Sequence, residues 1–125
     1  MSFAFEDLHV YWKAVEFSVK VIENVDTMDL PRKHFRLIEQ LESCSSSIAM
    51  NISEGKGRYT HKDFKKFLYI ARGSLYETVT MLQIFKRLNW MSQEIYSELY
   101  EEALELNKML AGLINAIGEA ESSKL

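Results

Sequence analysis

Asn51-Ile52-Ser53-Glu54-Gly55-Lys56-Gly57-Arg58-Tyr59-Thr60-His61-Lys62-Asp63-Phe64 reads as the end of one helix, a turn, and the start of the next. Gly55 and Gly57 stop the first helix, because glycine accepts the left-handed conformation that ends helices. Thr60 followed three residues later by Asp63 is an N-cap with an acid at the positive helix end. Upstream, Phe35, Ile38, Leu41, Ser45, Ile48 and Ile52 fall on one face of a helix running from about Arg32 to Glu54. Downstream, Phe64, Phe67, Leu68, Ala71, Leu75, Leu82 and Phe85 do the same to about Leu88. Two long helices joined by so short a turn must lie antiparallel.

The flanks extend the pattern. From Glu6 to Val25, Leu8, Trp12, Val15, Val19 and Ile22 form one apolar stripe, and Val10, Ala14, Phe17 and Val21 form an offset second one. A helix with two such stripes is covered on more than one side. Pro31 suits the first turn of the following helix, where its missing N–H costs nothing. Ser92 caps a fourth helix carrying Ile95, Leu99, Leu106, Leu110, Leu113 and Ile117. The fold class is all-α: an antiparallel up-down-up-down four-helix bundle over residues 1–118, with a frayed polar tail over 119–125. The chain has 125 residues, five Gly and one Pro, the size of one domain and too few turn residues for an all-β protein.

Register predicts contacts within the central hairpin. With the turn centred near Arg58 and Tyr59, Gly73 and Ser74 face Ser43 to Ser46, so the serine-rich run Ser43 to Ser47 is a tight helix crossing rather than a set of nucleophiles. The same register puts Arg72 about 12 Å beyond Glu54 along the axis. That excludes an intrachain Glu54–Arg72 bridge and leaves Glu54 to Lys62, Lys65 or a neighbouring copy. Asn51, Glu54, Arg72 and Glu77 are read as structural or interfacial.

Catalytic chemistry finds little support, and no catalytic residue, cofactor or metal site is expected. His9, His34 and His61 lie near helix ends, and no serine sits in a nucleophile elbow. Cys44 sits mid-helix and reads as a small buried residue. Glu6 and His9 supply one Glu-x-x-His spacing, whereas a di-metal bundle needs two. Gly55-Lys56-Gly57-Arg58 is too short for a P-loop and follows a helix. No stretch is apolar enough to span a bilayer. A single cysteine and the acidic start Glu6-Asp7, unlike a signal peptide, lead to the expectation of a cytoplasmic protein with no membrane partner.

Charge is divided along the chain. Residues 31–72 carry nine basic against four acidic residues, a net +5, and residues 91–125 carry seven Glu against two Lys, a net −5. Lys56, Arg58, Lys62, Lys65 and Lys66 surround the central turn, either as a solvated helix end or as a set of cations meeting successive phosphates of RNA or DNA. Arg72 extends the set. The series Glu94, Glu98, Glu101, Glu102 and Glu105 is either a solvated stripe or a docking surface for a protein partner or another copy.

Ser47, Asn51, Glu54 and Arg58 share one helical face at steps of four, three and four. Together with Phe5-Glu6-Asp7-Leu8, Trp12 and Ala71-Arg72-Gly73-Ser74-Leu75-Tyr76-Glu77, the run Asn51–Arg58 resembles the four-helix-bundle proteins encoded within intervening sequences of bacterial 23S ribosomal RNA genes, over roughly residues 3 to 117. Ser53 departs from the alanine of that pattern, and Ser43 to Ser46 depart from its more basic, alanine-rich run. The resemblance implies a cytoplasmic homopentameric ring without enzymatic activity; Asn51, Glu54, Gly55, Gly57, Gly73 and Glu77 are read as structural or interfacial. More distantly, the chain is similar to accessory proteins of diversity-generating retroelements, pentameric bundles that bind a reverse transcriptase and nucleic acid. The paired stripes of the first helix fit a head-to-tail ring independently, because such an interface buries two different surfaces of each copy.

Overall fold

The computed structural model describes residues 2–123. Four helices follow one another: α1 over His9–Thr27, α2 over Phe35–Lys56, α3 over His61–Arg87 and α4 over Gln93–Ser123. Short 3-10 turns at Ala4–Asp7 and Arg32–His34 lead into α1 and α2. Each helix packs on the next and α1 closes against α4, while the diagonal pairs do not meet, so the bundle is a four-sided antiparallel array. The expected all-α bundle is what the chain forms.

The core is the inner stripe of each helix. Ala14, Phe17 and Val21 of α1 meet Leu41, Ile48 and Ile52 of α2, with Leu68, Leu75, Leu82 and Phe85 of α3 and Leu99, Leu106 and Leu110 of α4 completing the layers. Of the two stripes on α1, only the one through Val10, Ala14, Phe17 and Val21 is buried. The other leaves Trp12 49% and Val19 45% exposed. Phe35, placed inward by periodicity, is exposed, because it opens α2 just after the 3-10 turn, ahead of the buried layers.

Helix ends follow the sequence at three of four expected signals. The Thr60 hydroxyl accepts from the Asp63 N–H at 3.1 Å, and the Ser92 hydroxyl accepts from the Ile95 N–H at 3.2 Å. Pro31 stands immediately before the turn that opens α2. The glycine stop differs: no glycine has a positive φ, and Gly57 caps α2 at φ −78°. Gly55 is instead a packing residue. A Cβ there would lie 2.6 Å from the Cβ of Phe67 and 3.1 Å from Cδ1 of Phe64, so its missing side chain lets α3 cross α2 closely.

The residue that does turn left-handed is Asn89, at φ 62°. With it the Trp90 N–H reaches the Phe85 carbonyl at 2.9 Å and the Asn89 N–H reaches Lys86 at 3.1 Å, the paired bonds of a Schellman cap. The Trp90 ring then packs edge-on against Phe85 at 5.1 Å, supplying the apolar contact that accompanies such caps. The tail expected to fray from 119 is helical through Ser123. Ile117 is buried in the core and Glu121 reaches Lys65, so the last turns have tertiary partners. The expected tail's final residues, 124 and 125, lie outside the described residues.

Candidate nucleic-acid interface

The α2–α3 turn stands at one end of the bundle, and the cations predicted there are held in different ways. Lys56, in the last turn of α2, sits over the Phe64 ring, its Nζ 5.6 Å from the centroid. The Arg58 guanidinium lies 4.6 Å over Phe67 and donates to Oε1 of Glu54 at 2.9 Å. Both contacts follow from the close crossing at Gly55, which brings the α3 phenylalanines under the end of α2. Lys65 turns toward α4 and pairs with Glu121 at 3.2 Å. Lys62 and Lys66, one turn apart on the outside of α3, are exposed and have no carboxylate partner among the described residues. Tyr59 is fully exposed at the tip.

Arg72 lies about 15 Å along α3 from Lys62. As expected, it does not bridge to Glu54. Its guanidinium is stacked over Tyr69 at 4.8 Å and Tyr76 at 5.6 Å, and no carboxylate neutralises it among the described residues. Glu54, expected to meet Lys62 or Lys65, pairs instead with Arg58, just past the end of its own helix. Four-residue spacing places those two side chains side by side, whereas Lys65 faces α4.

Of the residues read as structural, Asn51 and Glu77 take part in polar contacts where α2 meets α3. Asn51 donates through Nδ2 to the Ser47 carbonyl at 2.8 Å and to its hydroxyl at 2.9 Å, and that hydroxyl shares a 3.0 Å hydrogen bond with Ser74. One turn on, the Thr78 hydroxyl donates to the Ser74 carbonyl at 2.8 Å and reaches Cys44 Sγ at 3.3 Å. Cys44 is buried, and burial pushes its thiol pKa up, which suits a packed residue. The register is thus almost one turn from the sequence expectation: Ser74 meets Ser47, and Gly73 is turned outward. A Cβ on Gly73 would meet nothing within 4 Å, so Gly73 is not part of the close crossing. Glu77 accepts from Gln40 across the helix pair at 3.4 Å. Ser45 and Ser46 donate back to carbonyls three residues earlier, as helix-packed hydroxyls do.

The acidic α4 is partly neutralised by residues that charge counting along the chain did not single out. Lys13 of α1 donates to Glu102 at 2.7 Å and lies 3.2 Å from Glu105, and Lys20 reaches the other Glu102 oxygen at 3.0 Å. The hydrogen bond from Lys13 holds the Glu102 carboxyl below the usual carboxylate range. Glu94, Glu98 and Glu101 remain exposed. Among the described residues no three His, Cys, Asp or Glu side chains gather as a metal site would require. Glu6 of the Glu-x-x-His spacing instead accepts from the Phe3 N–H at 2.9 Å. No helix among the described residues is long and apolar enough to cross a membrane.

Fold and site together define a four-helix bundle with a basic turn at one end and an aromatic–arginine stack along its third helix. The chain belongs to the 23S rRNA-intervening sequence protein family, whose sequence profile matches residues 6–112. No curated protein matches it. Among solved structures it is similar to a protein of unknown function from the S23 ribosomal protein family of Bacteroides thetaiotaomicron VPI-5482, at 28% identity and a TM-score of 0.77, covering 84% of this chain and 97% of that one.

Proposed function

We propose that the protein is a cytoplasmic, non-enzymatic scaffold of several copies that holds RNA or DNA through phosphates at the α2–α3 turn. The observation that carries this reading is the exposure of Lys62 and Lys66, without carboxylate partners among the described residues, beside Lys56 and Arg58, whose charged ends lie over phenylalanine rings, Arg58 being paired also with Glu54. The exposed ammonium groups of Lys62 and Lys66 are where a phosphate can replace water. Assembly is supported by the outer stripe of α1, where Trp12 and Val19 stay exposed, and by the family resemblance, which implies a homopentamer. Repeating the basic turn around a ring multiplies weak contacts into avidity. A gel-shift titration over a salt series, with light scattering on the same sample, tests it. Retardation that weakens steeply with salt and a mass of several chains are expected, and no retardation at low salt overturns it.

Docking of a protein on α4 is the second reading, supported by the exposed Glu94, Glu98 and Glu101. Because Glu102 is engaged by Lys13 and Lys20, charge reversal at Glu98 and Glu101 is the test that leaves the bundle intact. Loss of a partner in pull-down supports this reading, and unchanged capture opposes it.

A further inference from the structure

The basic turn does not end the cationic surface. From Lys62 the outer face of α3 continues, at alternating steps of four and three residues, through Lys66, Tyr69, Gly73 and Tyr76 and then the uncharged Thr80 and Gln83 to Arg87, all exposed. Steps of four and three keep residues on one side of a helix, so these positions form a strip about 37 Å long. It carries cations and aromatics and no carboxylate. The acidic residues of α3 lie off it: Asp63 in the first turn, and Glu77 against Gln40 of α2. Glu119 and Glu121 of α4 border Tyr69 across a shallow groove, with Glu121 taken by Lys65. An apolar helix would want aliphatic knobs every three or four residues, and the strip offers none, although Ile70 and Ile84 flank it.

Tyr69 and Tyr76 are half exposed, and Arg72 stacks against both, which fixes the two rings and leaves a guanidinium between them with no carboxylate partner among the described residues. Gly73, between the tyrosines on the same face, has no neighbour within the chain that requires a glycine. We infer that the Tyr69–Arg72–Tyr76 face of α3 is a stacking platform for the bases of single-stranded nucleic acid, continuous with the phosphate-binding turn. The inference rests on the phosphate-binding reading above and specifies its ligand. Phosphates alone draw duplex and single strand alike, but only an unpaired strand presents base faces to an exposed ring. The low floor at Gly73 lets a base or sugar approach the helix backbone between the rings.

Fluorescence anisotropy with labelled oligo(dT), oligo(U) and a duplex, each of about 20 nucleotides per strand, tests it across a salt series. Either single strand is expected to bind more tightly than the duplex, and a preference between oligo(dT) and oligo(U) identifies the sugar and supports the inference equally. Replacing Tyr69→Leu and Tyr76→Leu together should weaken single-strand binding by about tenfold per ring while leaving duplex affinity and the salt slope unchanged. Tyr69→Phe with Tyr76→Phe keeps the ring faces and should bind as the parent does. Leucine variants that bind single strands undiminished, or that lose duplex to the same extent, overturn the platform and leave the basic turn standing. Absence of binding to all three probes at low salt overturns the basic-turn reading, and the platform with it.

Discussion

Lys13 of α1 and Glu102 of α4 are joined by a 2.7 Å ion pair across the seam that closes the bundle, with side chains only 13% and 20% exposed. Lys20 binds the second oxygen of the same carboxylate, so one glutamate ties two turns of α1 to the middle of α4. Sheltered, doubly hydrogen-bonded pairs contribute more than surface ones. Glu102→Gln is therefore expected to cost about 1 kcal/mol, read as a lower melting temperature at matched protein concentration.

The same pair sets a pH dependence. Hydrogen bonding from Lys13 lowers the Glu102 carboxyl below its ordinary value, so its contribution is complete above the unfolded carboxylate range and disappears as pH falls through the lowered folded value. Lys13 is raised, chiefly by its hydrogen bond to Glu102, so its share holds below the unfolded lysine range and is lost as pH rises through the raised value. The stability gap between the parent and Glu102→Gln should be widest at neutral pH and close on strong acidification. A gap that persists in acid contradicts the assignment.

Two glycines should respond oppositely to the same substitution. At Gly55 a methyl group would press against Phe67 and Phe64 of α3, forcing the helices apart at an expected cost of about 1–3 kcal/mol. At Gly73 the space is open and φ is not positive, so Gly73→Ala should stabilise α3 by roughly 0.5–1 kcal/mol through helix propensity. Thermal melts of both variants, compared with the parent, check the pair.

Salt dependence tests the basic turn residue by residue. Removing Lys62 and Lys66 together by alanine substitution should lower the slope of log affinity against log salt by roughly 1.5 to 2, because each lysine that meets a phosphate releases about one counterion. Lys65→Ala should change the slope less, since Lys65 is held by Glu121. Equal slopes for all of these proteins would remove the turn from the binding surface.

These contrasts mark where the sequence is legible. Helix existence and the Thr60 and Ser92 caps follow from local periodicity and neighbouring side chains, which a linear reading contains. The role of Gly55 depends on two phenylalanines of the next helix, and its glycine neighbour Gly57 ends α2 without the left-handed turn its residue type favours. Asn89, which does take that turn, carries a weaker signal than glycine. Within the basic cluster, all five charges at the turn are visible in the sequence. Which of them are neutralised is visible only in part: Arg58 has Glu54 four residues before it, but the partner of Lys65 lies 56 residues away on α4. Lys13 and Glu102 are 89 residues apart, and only closure of the bundle brings them together.

The outer stripe of α1 supplies the last test. Val19 is 45% exposed on the face opposite the buried Phe17 and Val21 layer, and Trp12, on the same stripe, is anchored by a 2.9 Å hydrogen bond from its indole N–H to the Glu6 carbonyl. A charge at an isolated, exposed helix position changes stability by no more than about 0.5 kcal/mol. A charge placed inside an apolar interface between copies is left without water or a partner and is far more costly. Val19→Glu is thus expected to preserve helicity while reducing the mass measured by light scattering to that of a single chain. An unchanged assembly would move the contact surface off α1, and a loss of helicity at low temperature would mean that the bundle itself needs the contact.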